Sequence, residues 1–276
     1  MFSLFKRKSP APGKVVFIGH SHLRALRLAY VARTKRLAEA GAHNGRPAEF
    51  VPLSAPAFAP RLDVPDGSKQ IFNRRTVKAL SGPSVAAIVS CIGGNAYNVF
   101  GLTNHPCPFD FVLAEDPTLA LDAKAQILPC NAVRQSLKRR LANNIRLLTA
   151  LRAQTDRPIF HLESPPPIPS ERHIRSNPGR FRDRIAECGV APPTLRYKLW
   201  RLQSDLVREA CEALDIAFVS VPRVTQDKAG MMVERGWARD ATHGNSWYGA
   251  RVLNTVLTTL TRADSAGRLG HEQPVS

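Results

Sequence analysis

Residues 14–26 read KVVFIGHSHLRAL. Val15, Val16, Phe17 and Ile18 form an unbroken apolar run, the pattern of a strand covered on both faces, and the run stops at Gly19. A glycine there marks a tight turn, which His20, Ser21 and His22 occupy before a helical pattern begins. In an open parallel sheet, ligands bind beyond the carboxyl ends of the strands. The stretch therefore predicts a buried strand whose tip carries a serine between two histidines.

Four more runs repeat the motif of the first: AEFVPL (48–53), VAAIVSCIG (85–93), RPIFHLES (157–164) and DIAFVSVP (215–222). All are rich in Val, Ile and Phe and none alternates polar with apolar. Helical spacing separates them. Val133, Leu137, Leu141, Ile145, Leu148 and Leu151 fall three or four apart, as do Leu199, Leu202, Leu206, Ala210 and Leu214. A last helix is predicted over residues 247–262. Alternating β and α elements predict an α/β domain with a mostly parallel five-stranded sheet and right-handed crossovers. The domain spans residues 14–262, between a flexible N-terminus (1–13) and a flexible tail (263–276). Residues 96–130 and 165–198 interrupt the alternation as insertions.

The chain has 276 residues, 43% of them hydrophobic, enough for a buried core and too many for a disordered chain. Lys and Arg number 39 against 22 Asp and Glu, a net charge of +17, which points to an anionic partner. Cys91, Cys107, Cys130, Cys188 and Cys211 are scattered, odd in number and never in a C-x-x-C pair. That pattern fits reduced thiols in a cytoplasmic protein. The opening MFSLFKRKSPAPG lacks the apolar region of a secretory signal, and no apolar run is long enough to predict a transmembrane segment.

Comparing strand ends brings polar residues to one rim. Gly93, Gly94 and Asn95 follow the third strand, and Asp240 and His243 precede the last helix. A serine hydroxyl needs a base, an imidazole titrates in the right range, and a carboxylate can orient that imidazole. A tetrahedral oxyanion needs preorganised donors, which the Asn95 amide and the Ser21 N–H can supply. These parts suit acyl transfer.

Gly19-x-Ser21, Gly93-x-Asn95 and Asp240-x-x-His243, in that order, resemble the blocks of the SGNH (GDSL-type) serine hydrolases. The resemblance covers about residues 14–103 and 157–262. It implies a three-layer α/β/α flavodoxin-like sandwich and an esterase, deacylase or acyltransferase that needs no cofactor. Ser21 would be the nucleophile, His243 the base, Asp240 its orienter and Asn95 an oxyanion donor. The chain departs from the family's pattern at several positions. His20 replaces the first-block Asp, Ala96 the Asp after the Asn, and Gly244 the Pro after the His. The second block, VPLSAPAFAP (51–60), has no glycine, so the Ser54 or Ala55 N–H would have to donate instead.

His20, His22 and Tyr97 are expected to contact substrate, and the substrate to be an anionic small-molecule or glycan ester. Arg172, Arg175, Arg180, Arg182 and Arg184 are expected to form an anion-binding lid. Other readings are a non-catalytic binding module on the same fold, a nucleic-acid-binding protein, and a metal-dependent hydrolase using His20, His22, Asp240 and His243. Sparse aromatics beside the arginines disfavour nucleic acid, and no H-E-x-x-H pattern supports a metal.

Overall fold

The computed structural model describes residues 13–42, 45–65 and 70–269. Its sheet contains five of the seven strands among the described residues: β1 (Lys14–Gly19), β2 (Ala48–Pro52), β3 (Val85–Cys91), β6 (Ile159–Leu162) and β7 (Ala217–Val219). Strands β4 (Phe109–Asp110) and β5 (Gln126–Ile127) make a separate two-stranded ribbon. The main sheet is parallel throughout, in the order β2-β1-β3-β6-β7. This is the doubly wound arrangement, and its direction of winding reverses between β1 and β3. The expected α/β/α sandwich is present.

Side chains of β1 alternate between the two layers. Val16 and Ile18 join a core with α2 (Arg74–Ser81), α4 (Cys130–Ala153) and α7 (Pro193–Ala213). Val15 and Phe17 face the opposite way, onto α1 (Leu23–Glu39) and α8 (Ser246–Leu269). Both α1 and α8 begin at the carboxyl rim and run down the same face. They cross closely: a Cβ on Gly249 would lie 2.2 Å from the backbone oxygen of Ala25.

The insertion at 96–130 holds α3 (Asn98–Gly101) and the ribbon, and packs through Tyr97, Phe111 and Leu113 onto α4 and α7. Lys198 in α7 anchors it from below. Its Nζ donates to both carboxylate oxygens of Asp110, at 2.9 and 3.1 Å, and to the carbonyl of Ala120 at 2.9 Å. Residues 165–198 hold α5 (Glu171–Ser176) and α6 (Arg182–Cys188) around Ile168, Ile174, Ile185 and Val190. Arg196, 1% exposed, donates to the carbonyls of Ala191, Ile168 and Pro169, and burial lowers its pKa to about 10.

Two boundaries differ from expectation. Helix α8 continues to Leu269, so the predicted tail begins inside a helix, and only residues 270–276 of it lie outside the described residues. Of the predicted flexible N-terminus, residues 1–12 lie outside them too. Among the described residues no helix is long and apolar enough to cross a membrane, and the five cysteines are unpaired.

Candidate active site

Ser21 sits exposed in the turn between β1 and α1, which its own carbonyl helps to close by accepting the Arg24 N–H. His243 lies in the loop before α8, whose start is fixed by Asn245: its Oδ1 accepts the N–H groups of Trp247 at 2.9 Å and Tyr248 at 3.1 Å. The two loops meet because α1 and α8 are neighbours. Ser21 Oγ lies 2.7 Å from His243 Nε2, and His243 Nδ1 lies 3.0 Å from Asp240 Oδ1. In the neutral imidazole, Nδ1–H then donates to the carboxylate and Nε2 accepts from the serine hydroxyl.

Asp240 is held by its own loop. The same Oδ1 accepts the backbone N–H groups of Thr242 and His243, both at 2.8 Å. Burial pushes this carboxyl's pKa up, but the His243 ring and those two N–H groups outweigh it and leave the pKa at about 2. Asp240 is therefore an anion at any ordinary pH.

On the other side of Ser21 stands the loop after β3. Gly93 donates weakly from its N–H to His20 Nδ1, at 3.5 Å. Burial lowers the His20 pKa, so the neutral ring can accept. Gly94 is required by the His22 ring, since a Cβ there would lie 2.1 Å from His22 Cδ2. Burial and the neighbouring His243 lower the His22 pKa to about 3, and the two rings stand 4.8 Å apart. The Asn95 side chain interacts with the His22 ring, yet neither Asn95 Oδ1 nor His22 Nε2 reaches a full hydrogen bond. Behind β2, the Ala55 N–H is spent on the Pro52 carbonyl and the Leu53 N–H on that of Gly19. The exposed Ser54 is the remaining donor of that turn.

An open cavity of about 550 Å³ adjoins Ser21 and His243. Its charged walls are Arg24, Arg239 and Asp240. Several expected contacts lie elsewhere. Tyr97 is 1% exposed and belongs to the core, where its N–H donates to Gln203, so it cannot touch a ligand in this cavity. His20, His22, Gly93, Gly94 and Asn95 flank Ser21 without lining the cavity. The arginines expected to form a lid stand apart from this cavity. Arg172, Arg175, Arg180, Arg182 and Arg184 are all exposed and none lines the cavity, because the apolar residues of α5 and α6 face inward and turn the arginines out. Arg175 pairs with Glu171 at 2.7 Å, and Arg180 lies over Phe181. Sequence reasoning missed Arg24 and Arg239. Their signal, one arginine three residues after the serine and one just before the aspartate, has meaning only once the loops are known to meet. No group of three or more possible metal ligands is assembled among the described residues.

No protein-family model matches this chain, and no curated protein matches it. Solved structures do. One is the periplasmic domain of a Salmonella ser. Paratyphi A lipopolysaccharide acetyltransferase: 12% identity, 92% of this chain and 85% of that one, TM-score 0.47. A GDSL-like lipase from Bacteroides thetaiotaomicron aligns over 91% and 89% at 11% identity and TM-score 0.43. A carbohydrate acetylesterase from Sinorhizobium meliloti aligns over 91% and 99% at 10% identity and TM-score 0.43. At such identities the likeness concerns the path of the chain alone.

Proposed function

We propose that the protein cleaves an acyl ester by a serine mechanism, passing the acyl group to water or to an acceptor hydroxyl. The observation that carries this reading is the hydrogen-bonded line from Ser21 through His243 to Asp240. His243 Nε2 takes the hydroxyl proton as Ser21 Oγ attacks the ester carbonyl. The carbonyl π pair moves onto oxygen, and Asp240 stabilises the imidazolium without taking its proton. The Ser21 and Ser54 N–H groups and the Asn95 amide are the donors assigned to that oxyanion. Collapse breaks the bond to the leaving alkoxide, which receives the proton from His243. Water or an acceptor alcohol then attacks the acyl-enzyme in the mirror of these steps and restores the serine. None of them requires a cofactor. Arg24 and Arg239 beside the serine favour a substrate with an anionic group near the ester.

A fluorophosphonate probe tests the proposal. Labelling of the wild type and not of Ser21→Ala, unaffected by a chelator, is the expected result. Absence of labelling in the folded wild type would leave a binding module on the same fold.

A further inference from the structure

The cavity at Ser21 is the first of three that follow one another down the seam between α1 and α8. Beyond it lies one of about 310 Å³ lined by Arg33, Arg36 and Arg251, and then one of about 720 Å³ lined by Arg33 and Arg262. The second and third are walled by α1 and α8, and the first by the start of α1, the loop over residues 237–245 and the first residue of α8. On α1 the lining passes from Ala25 through Ala29 and Arg33 to Arg36, and on α8 from Ser246 through Ala250, Asn254, Thr258 and Thr261 to Ser265. These are steps of three or four residues, so each set forms one stripe on its helix. From Ser246 to Ser265 the helix rises ~28 Å at about 1.5 Å per residue.

The seam carries one sign of charge. Arg24, Arg33, Arg36, Arg239, Arg251 and Arg262 line it, and none is in an ion pair among the described residues. Asp240, the one acidic lining residue, is already bonded to His243. The floor is apolar, from Ala29 and Leu253 to Leu257, and Asn254 and Thr258 offer hydrogen bonds between the guanidinium groups. A groove lined by one charge raises the local concentration of opposite charge along its whole length.

We infer that the α1–α8 seam is the binding tract of an extended acidic polysaccharide, which it threads past Ser21 so that an acyl ester on the polymer enters the first cavity. The inference rests on the serine reading for its chemistry and on the arginine stripe for its ligand. A single small anion would use Arg24 and Arg239 and leave the charge of the other four unmatched. A nucleic acid would be expected to find rings to stack on, and no aromatic side chain lines the second and third cavities.

The test separates binding from chemistry. Ser21→Ala is titrated calorimetrically with polygalacturonate, with the same polymer reduced at its carboxyl groups, with duplex DNA and with phosphatidylserine vesicles. Polygalacturonate should bind in a salt-sensitive manner and the reduced polymer should not. The variant Arg33→Ala/Arg36→Ala/Arg251→Ala, in the same background, should weaken binding about tenfold or more. Arg172→Ala/Arg182→Ala/Arg184→Ala removes equal charge away from the seam and should leave binding unchanged. Equal weakening by both triple variants, equal binding of the reduced polymer, or tighter seam-dependent binding of DNA or vesicles would overturn the inference. Acetate release from O-acetylated polygalacturonate by the wild type is read separately. If binding follows the seam but release persists in Ser21→Ala, the serine reading fails and the tract stands.

Discussion

Ser21 Oγ and His243 Nε2 are 222 positions apart in sequence and 2.7 Å apart in space. What joins them is the packing of α1 against α8, because each residue lies in the loop that leads into one of those helices. The hydroxyl and the imidazole are thus positioned by backbone, not by long flexible side chains, and Asp240 is fixed in the same way by two N–H groups of its own loop.

That arrangement makes Asp240 a matter of charge. Asp240→Asn keeps an acceptor oxygen toward the two loop N–H groups and His243 Nδ1, and removes the anion that stabilises the imidazolium. We expect kcat on a simple ester to fall by roughly 10⁴ with KM little changed, the size of loss seen when a triad carboxylate is made neutral. Steady-state kinetics on 4-nitrophenyl acetate would check this, and a loss below tenfold would remove Asp240 from the mechanism.

The close crossing of α1 and α8 gives a second expectation. Gly249→Ala places a methyl group 2.2 Å from the Ala25 carbonyl oxygen, so the helices must part. Overpacking of this kind costs about 1–3 kcal/mol, and for a chain of this size that lowers Tm by on the order of 2–5 °C. Because the obstacle is backbone, Ala25→Gly should not rescue it. Calorimetry of the single and double variants decides the point, and rescue in the double variant would locate the conflict in side chains instead.

The buried pair of Lys198 and Asp110 gives a third. Their side chains are 0% and 3% exposed, and removal of one partner leaves the other charged and desolvated, at a cost of about 3–5 kcal/mol. Lys198→Ala should therefore destabilise the fold strongly, while Lys198→Met with Asp110→Leu should recover much of the loss. Urea titration of the three proteins would read it, and a mild effect of Lys198→Ala alone would mean that water reaches Asp110.

How much of this was legible beforehand follows from the kind of signal each part carries. All five strands of the main sheet were readable, because a parallel strand covered on both faces is apolar without interruption. Helices α4, α7 and α8 were readable from their stripes. Helix α1 gave little pattern, since its buried residues, Leu23, Ala25, Leu26 and Ala29, are confined to its first two turns and the remainder is basic and solvated. The serine, aspartate and histidine stood out through spacing and order. The arginines of residues 172–184 stand outside the cavity lining, because charge density in sequence says nothing of direction. Ile174 and Ile185 turn their helices inward and leave the arginines in water, while Arg24 and Arg239 gain their place only through the meeting of two distant loops.

Acid sensitivity provides the last expectation. His161, buried in β6 with its Nδ1 3.1 Å from Ser90 Oγ, has its pKa lowered by burial to about 4, and His22 to about 3. An unfolded histidine titrates near 6.5. Below that pH the unfolded chain binds protons that the folded chain refuses, so both groups stabilise the fold fully above pH ~6.5 and lose that contribution as pH falls toward 4 and 3. Asp240 acts in the same direction lower down: its carboxylate is favoured in the fold, and its contribution is lost between pH ~4 and about 2. The slope of stability against pH between 6 and 4.5 should approach ~1.4 kcal/mol per pH unit for each of the two histidines. His161→Gln keeps a hydrogen-bonding partner for Ser90 and should reduce that slope by about one such increment, whatever it does to stability at pH 7. Urea unfolding at half-unit pH intervals measures both slopes. Parallel curves for wild type and His161→Gln would show that this imidazole is protonated in the folded protein as easily as in the unfolded one.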